Sequence, residues 1–229
     1  MKLSNKTLMP RRGKTWLGQM FFSIMSHSLY DVGLYRFVTP YIWRCPTSRL
    51  MDNYVENISA HHLEIGVGSG YFLKRTMCAD FVKRLVLADM NLNCLRKSAK
   101  RLRMSTPRIC HHNILQPFSP LPLERAKFSS VAMNYVLHCI PGTLSGNQHV
   151  FQHVHDLLRE GGVFFGATLI QQPVHQGIAS WLFMKLLNAV GIFQNGQHTS
   201  AELQQALASR FRKVEISMVG NAAVFRAVK

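Results

Sequence analysis

His61-His62-Leu63-Glu64-Ile65-Gly66-Val67-Gly68-Ser69-Gly70 is the stretch on which the reading of the whole chain turns. Leu63, Ile65 and Val67 alternate as a strand does, three glycines follow at alternate positions, and Tyr71-Phe72-Leu73-Lys74-Arg75 opens a helical pattern. Strand, loop and helix come in that order. Glycine is required where the backbone takes φ > 0 or lies against a ligand, and a helix start presents free N–H groups to something polar. The dinucleotide fingerprint G-x-G-x-x-G would need glycine at position 71, which Tyr71 occupies. Two carboxylates distinguish this loop instead. Glu64 stands two residues ahead of Gly66, and the next apolar run, Leu85-Val86-Leu87-Ala88, ends in Asp89. An acid at the tip of a second strand is placed to accept hydrogen bonds from both hydroxyls of a ribose, so the ligand should carry a nucleoside.

Working outward, residues 1–14 form a polar, basic arm, and Trp16, Leu17, Met20, Phe21, Ile24 and Met25 recur at helical spacing. That face suits a cap over the glycine loop or a membrane-surface helix. Tyr30 to Pro46 continues the cap, broken by Pro40 and Pro46, and a helix from about Pro46 to Ile58 leads into the loop strand. After Asp89, a helix over 92–103 places Leu92, Leu95, Ala99 and Leu102 on one face and Arg96, Lys97, Lys100, Arg101 and Arg103 on the others. The charged side reads as a solvated face or a phosphate-contacting patch.

Strands are expected at 109–113, 128–134 and 163–169, with a helix from Gln148 to Arg159 stopped by Gly161-Gly162. The apolar segment 178–193 reads as a core helix or as a lid over an apolar substrate, and it is too short for a good bilayer span. Thr199 and Glu202 make a capping box, and residues 213–219 and 222–228 flank a Gly220-Asn221 turn as a hairpin. Strands alternating with helices give an α/β fold with a mostly parallel sheet covered on both faces. Ligands then gather at the C-terminal strand ends.

Leu63-Glu64-Ile65-Gly66-Val67-Gly68-Ser69-Gly70 with Leu87-Ala88-Asp89-Met90-Asn91 resembles the first two motifs of class I S-adenosylmethionine-dependent methyltransferases. Asn134-Tyr135-Val136-Leu137-His138-Cys139-Ile140 is similar to the fourth-strand motif of the small-molecule branch, and Leu157-Leu158-Arg159-Glu160-Gly161-Gly162 to the helix end before its fifth strand. The resemblance implies a Rossmann-like seven-stranded sheet with a C-terminal antiparallel hairpin, a methyltransferase domain over 51–229 and a helical cap over 1–50. It also implies S-adenosylmethionine as cofactor. Glu64, Gly66, Gly68 and Gly70 would shape the methionine side, Asp89 the ribose and Asn113 the adenine, with Val67, Met90 and Ile114 also at the cofactor. Asn134 and Tyr135 would border the transferable methyl, while Tyr30, Tyr35 and Arg44 would close the site from the cap. His138, four residues beyond Asn134, is the best-placed base for a proton-bearing acceptor. Asn113 and Ser129 stand where the family commonly has aspartate. Asparagine still accepts a hydrogen bond through its carbonyl oxygen.

Composition bounds the rest. The 229 residues suit one α/β domain with a small cap. A formal charge of +16 admits an anionic partner, either nucleic acid or a membrane surface reached through basic patches. Methylation of phospholipid or nucleic acid is therefore one alternative to a small, fairly apolar acceptor, and a non-catalytic binding protein is another. Asn134-Tyr135-Val136 lacks the Pro-Pro-aromatic run typical of amino-methylating enzymes. Cys45, Cys78, Cys94, Cys110 and Cys139 show no paired spacing, so neither disulfides nor zinc is indicated. His149, His153, His155 and Asp156 sit together on a helix whose inner face is already apolar, and no metal is assigned to them. With no secretory signal pattern at the start, a reducing cytoplasm is the expected location.

Overall fold

The computed structural model describes residues 31–76, 82–102, 107–118, 127–171 and 177–229. Alternation becomes register at the centre of the sheet. Strand β1 (His61–Ile65) places Leu63 and Ile65 on one face and His62 and Glu64 on the other. It pairs in parallel with β2 (Arg84–Asp89) and with β4 (Phe128–Asn134). Strand β3 (Arg108–His111) adds outside β2, and β5 (Leu158–Leu169) lies beside β4, both parallel. The hairpin of β6 (Lys213–Val219) and β7 (Ala222–Val228) completes the sheet, with β7 antiparallel to β5 and β6. The order β3-β2-β1-β4-β5-β7-β6 is the mostly parallel seven-stranded sheet expected above.

Helices cover both faces, as buried parallel strands require. On one side α4 (Gln148–Leu157) and α6 (Ser200–Ala208) set Val150, Phe151, Val154, Leu203 and Leu207 against Leu63, Val131 and Phe164. On the other side lie α1 (Thr47–Asn57), α2 (Tyr71–Thr76), α3 (Leu92–Arg101) and α5 (Ile178–Ala189). They bring Leu50, Tyr54, Phe72, Leu95 and Met184 onto Leu87, Ala132 and Phe165.

Three expectations need correction. The helix before β5 ends at Leu157, and Leu158 is already extended, paired with Phe128. The next pair is Ser130 with Val163, a step of two residues on β4 against five on β5. Gly161 (φ 70°) and Gly162 therefore accommodate a bulge rather than stop a helix. A Cβ on Gly162 would lie 2.8 Å from the Arg159 carbonyl oxygen. At the expected capping box, Thr199 does accept from the Glu202 N–H, but the Glu202 carboxylate turns outward to the N–H and hydroxyl of Ser145. Segment 178–189 is a core helix on its inner side only, since Ile178, Trp181, Leu182 and Leu186 face solvent.

The segment before α1 takes an unusual form. Val32–Ile42 is a π-helix containing Pro40, and the Trp43 N–H reaches back five residues to the Val38 carbonyl at 2.9 Å. Trp43 is buried, and its own carbonyl accepts the Asn221 N–H at 2.8 Å. The Trp16–Met25 face and Tyr30 lie outside the described residues. Among the described residues no helix is long and apolar enough to cross a membrane.

Candidate active site

The loop between β1 and α2 turns through three left-handed glycines, Gly66 (φ 72°), Gly68 (φ 51°) and Gly70 (φ 70°). The first is a packing requirement as well, because a Cβ there would lie 2.2 Å from Val136 Cγ2. The space beside Gly68 is open, the nearest atom to such a Cβ being 4.0 Å away. Ser98 of α3 donates to the Gly68 carbonyl at 2.9 Å, and Arg101 donates to the Ser69 carbonyl at 2.9 Å. The same guanidinium meets the buried Asp31 carboxylate at 2.6 Å, while the Ser69 hydroxyl donates to the other Asp31 oxygen. Asp31 and Arg101 thus clamp the loop.

The cleft opens at the C-terminal ends of β1, β2 and β4, about 1040 Å³ when the open solvent at its mouth is included. Glu64, Gly66 to Gly70, Asp89, Met90 and Asn134 line one part of it. Tyr35, Tyr71, Tyr135, Val136, Cys139 and Ile192 make a mainly apolar wall. Tyr35 stacks on Tyr71 with ring centroids 3.8 Å apart, and the Arg75 guanidinium covers Tyr71 at 3.6 Å.

Glu64 is buried and oriented from beneath. Its Oε2 accepts from the Tyr54 hydroxyl at 2.5 Å and lies 3.1 Å from His62 Nε2. The other ring nitrogen of His62 lies 2.8 Å from Ser130 Oγ, which in turn accepts the Ser59 N–H at 3.0 Å. Burial, with the charge of Glu64 behind it, pushes the Tyr54 phenol well above its ordinary range and keeps it a donor. Asp89 accepts from the Asn91 N–H at 2.8 Å and the Gly68 N–H at 3.3 Å. Burial nevertheless raises its carboxyl from the ordinary 3.8 to about 6, against the lowering effect of those hydrogen bonds.

Ten of the anticipated residues therefore share one cleft: Tyr35, Glu64, Gly66, Val67, Gly68, Gly70, Asp89, Met90, Asn134 and Tyr135. Asn113 and Ile114 do not line it. β3 ends at His111, the Asn113 side-chain oxygen accepts from the Leu115 N–H at 3.1 Å in a local turn, and Ile114 packs into the core. His138 is buried behind the cleft, where its Nδ1 accepts from the Leu169 N–H at 3.2 Å. Burial first, and then neighbouring His198, lower its pKa to about 3. A base already committed to a backbone donor and walled from the cleft does not fit the role expected of it. The Tyr135 ring borders the cleft, but its hydroxyl is buried with Thr39 and Cys45 as electrostatic neighbours, and burial raises the phenol far above its usual range. Arg44 lies against Gly177, away from the cleft lining.

Sequence reasoning missed the wall of Tyr71, Val136, Cys139 and Ile192, and the Asp31–Arg101 clamp. The one available signal for the clamp was Asp31's place among only eleven acids. The cleft fits a cofactor with a ribose and a charged amino acid end. Asn134 Nδ2 is buried without a hydrogen-bond partner among the described residues, space lies open beside Gly68, and carboxylates stand on either side of the loop.

Comparison with known proteins agrees with this geometry. The family profile described as methyltransferase domain matches residues 63–166, the span from β1 into β5. Methyltransferase ctvB of Aspergillus terreus is 33% identical over 205 residues, covering 87% of this chain and 89% of that protein. The physcion biosynthesis cluster O-methyltransferase of Aspergillus chevalieri is 32% identical, covering 96% of this chain and 99% of its own. Among solved structures, the N-methyltransferase NodS of Bradyrhizobium japonicum, in complex with S-adenosyl-L-homocysteine, superposes with a TM-score of 0.65 at 15% identity, covering 95% and 99% of the two chains. A nucleotide-type loop, an acid at the end of β2, an antiparallel final hairpin and full-length relatives of this kind converge on one conclusion: the chain belongs to the class I S-adenosylmethionine-dependent methyltransferases.

Proposed function

We propose that the enzyme methylates a small, fairly apolar acceptor, a secondary metabolite or lipid-like compound, by direct in-line transfer. The observation that carries this reading is the wall of Tyr35, Tyr71, Tyr135, Val136, Cys139 and Ile192, continuous with the glycine loop in one cleft. S-adenosylmethionine, when bound, supplies a methyl already activated by its sulfonium, so the protein has chiefly to bind, align and exclude water. In this reading Asp89 receives the ribose hydroxyls, Glu64 faces the methionine ammonium, and the loop from Gly66 to Gly70 lets the backbone lie close. Asn134 offers its unpartnered amide, and the Tyr135 ring holds the acceptor's plane. The acceptor atom is a hydroxyl oxygen, in keeping with the O-methyltransferase named above; on gaining the methyl it would release its proton to solvent, since His138 is committed to the Leu169 N–H. Cys94 and Cys139 are held as thiols, each pushed up to about 12 mainly by burial, and they take no part as nucleophiles.

Calorimetric titration with S-adenosylmethionine and S-adenosyl-L-homocysteine, beside an Asp89→Ala variant, tests the cofactor half. Binding weakened in the variant is the expected result, and a folded wild type that binds neither ligand overturns it. Transfer of labelled methyl to a panel of phenols, enols and amines tests the acceptor half, with the hydroxyl compounds expected to be labelled. Labelling of amines alone would refute the oxygen assignment.

A further inference from the structure

Exposed apolar side chains concentrate on two neighbouring elements. On the π-helix Val32–Ile42, Val32, Phe37 and Tyr41 recur every four or five residues, which lines them up on one outward face; Tyr41 is 74% exposed. On α5, Ile178, Trp181, Leu182 and Leu186 follow helical spacing and form a second outward stripe; Ile178 is 84% exposed. Met184 is buried on the inner side of the same helix, with Phe183 and Leu187 packed near it. A helix apolar all round belongs in a core or in lipid, yet the outer half of this one meets solvent.

The two elements touch. Just past the π-helix, the rings of Trp43 and Phe183 lie 5.5 Å apart, and the Arg44 guanidinium rests on Gly177, the residue immediately before α5. Neither element contains an aspartate or a glutamate, and their charged residues are the exposed cations Arg36 and Lys185. The Lys185 ammonium sits 5.0 Å from the Trp181 ring, its stem lying along the apolar stripe. Tyr35 on the π-helix and Ile192 just after α5 also line the cleft. One continuous region thus joins the reaction site to an acid-free, Trp-bearing, cationic and apolar surface.

We propose that this face docks the protein on the surface of an anionic phospholipid bilayer. Phe37, Tyr41, Trp181, Leu182 and Leu186 enter the boundary between headgroups and acyl chains, and Arg36 and Lys185 meet lipid phosphates. Charge selects this occupant over a second copy of the chain. A self-complementary contact would bring the same cations onto the same patch of a molecule already carrying +16, whereas an anionic bilayer supplies the opposite sign. Docking in this way sets the cleft beside the bilayer, so an apolar acceptor passes into it without crossing bulk water. The docking itself stands apart from the methyl-transfer reading, while delivery of an apolar acceptor rests on it.

Flotation of the full chain with phosphatidylcholine vesicles, with and without phosphatidylserine, tests it. The wild type is expected to float with the serine-containing vesicles. The bound fraction should fall about tenfold in Trp181→Ser/Leu186→Ser, with an unchanged melting temperature showing that the fold persists. Arg36→Gln/Lys185→Gln should retain part of the binding and lose part of its salt sensitivity. A wild type that does not float refutes the proposal. So does flotation undiminished in Trp181→Ser/Leu186→Ser, which would assign membrane binding to basic residues elsewhere. Sedimentation showing a dimer that the same substitutions dissociate would give the face to a second copy instead.

Discussion

The Tyr54 hydroxyl lies 2.5 Å from Glu64 Oε2, and this is the shorter of two contacts that orient the cleft carboxylate through a single oxygen. Tyr54 is fully buried, stacked on Phe72 with centroids 5.2 Å apart, so its donor is fixed by packing. Tyr54→Phe keeps the ring and removes a hydrogen bond to a charged group. It should cost about 1.5–3 kcal/mol of stability and weaken S-adenosyl-L-homocysteine roughly tenfold. Urea unfolding and calorimetry read the two effects separately, and unchanged affinity would confine this contact to stability.

Asp89 gives a pH dependence of two opposite signs. Its folded-state pKa is raised by burial from 3.8 to about 6, so its contribution to the stability of the free protein is present below 3.8 and is lost as pH rises through about 6. Ligand binding runs the other way, because only the ionised carboxylate accepts from both ribose hydroxyls. Affinity for S-adenosyl-L-homocysteine should fall by up to about tenfold for each pH unit below about 6, a slope that Asp89→Asn abolishes. Persistence of the slope in the variant would assign it to another group.

His138 supplies a test of what it does not do. A positioned general base is worth about 10²–10⁴ in rate, so His138→Asn, losing less than tenfold in kcat/KM, would agree with its burial away from the cleft. His138→Leu should instead orphan the Leu169 N–H and cost about 1–3 kcal/mol. The wild-type ring is neutral in the folded protein down to about 3. Its contribution to stability therefore declines as pH drops below 6.5, where the unfolded chain takes up the proton, and acid unfolding curves of the leucine variant should be flatter across that window.

Two loop glycines should behave differently. Gly68→Ala pays the left-handed penalty of about 1–2 kcal/mol and meets open space. Gly66→Ala adds a collision with Val136 Cγ2, so it should cost several kcal/mol in all. Gly66→Ala/Val136→Ala should recover the collision and leave the backbone penalty. Equal losses for the two single variants, measured by thermal melting, would contradict the geometry.

The sheet and the cofactor half of the cleft were legible because both are written locally. Alternation at 61–65 and 128–134, glycines at alternate positions and an acid closing an apolar run each constrain a backbone within a few residues. The bulge at Arg159–Gly162 was not, since a Gly-Gly pair after an amphipathic run fits a helix stop equally well; only pairing of Leu158 with Phe128 decides it. The side-chain directions of His138 and Asn113 were not legible for a similar reason. Sequence position puts both near the strand ends, but long-range contacts with Leu169 and the local turn onto Leu115 direct their side chains elsewhere. Arg101 looked like one more solvated cation on a basic helix, and its partner Asp31 lies seventy residues earlier. For α5, core helix and lid stayed equally open because apolar composition does not reveal which side a neighbour covers.

The contact between Trp43 and the hairpin turn orders events in time. The Trp43 carbonyl accepts the Asn221 N–H, and a Cβ on Gly220 would lie 2.2 Å from that same carbonyl oxygen. A chain synthesised from its N-terminus makes the segment bearing Tyr35 and Trp43 early, yet cannot seat it there until the residues around 220 have emerged from the ribosome. The reaction chamber is therefore among the last parts of the nascent protein to close, and a ribosome stalled before that turn leaves a sheet without a finished roof over its cofactor loop.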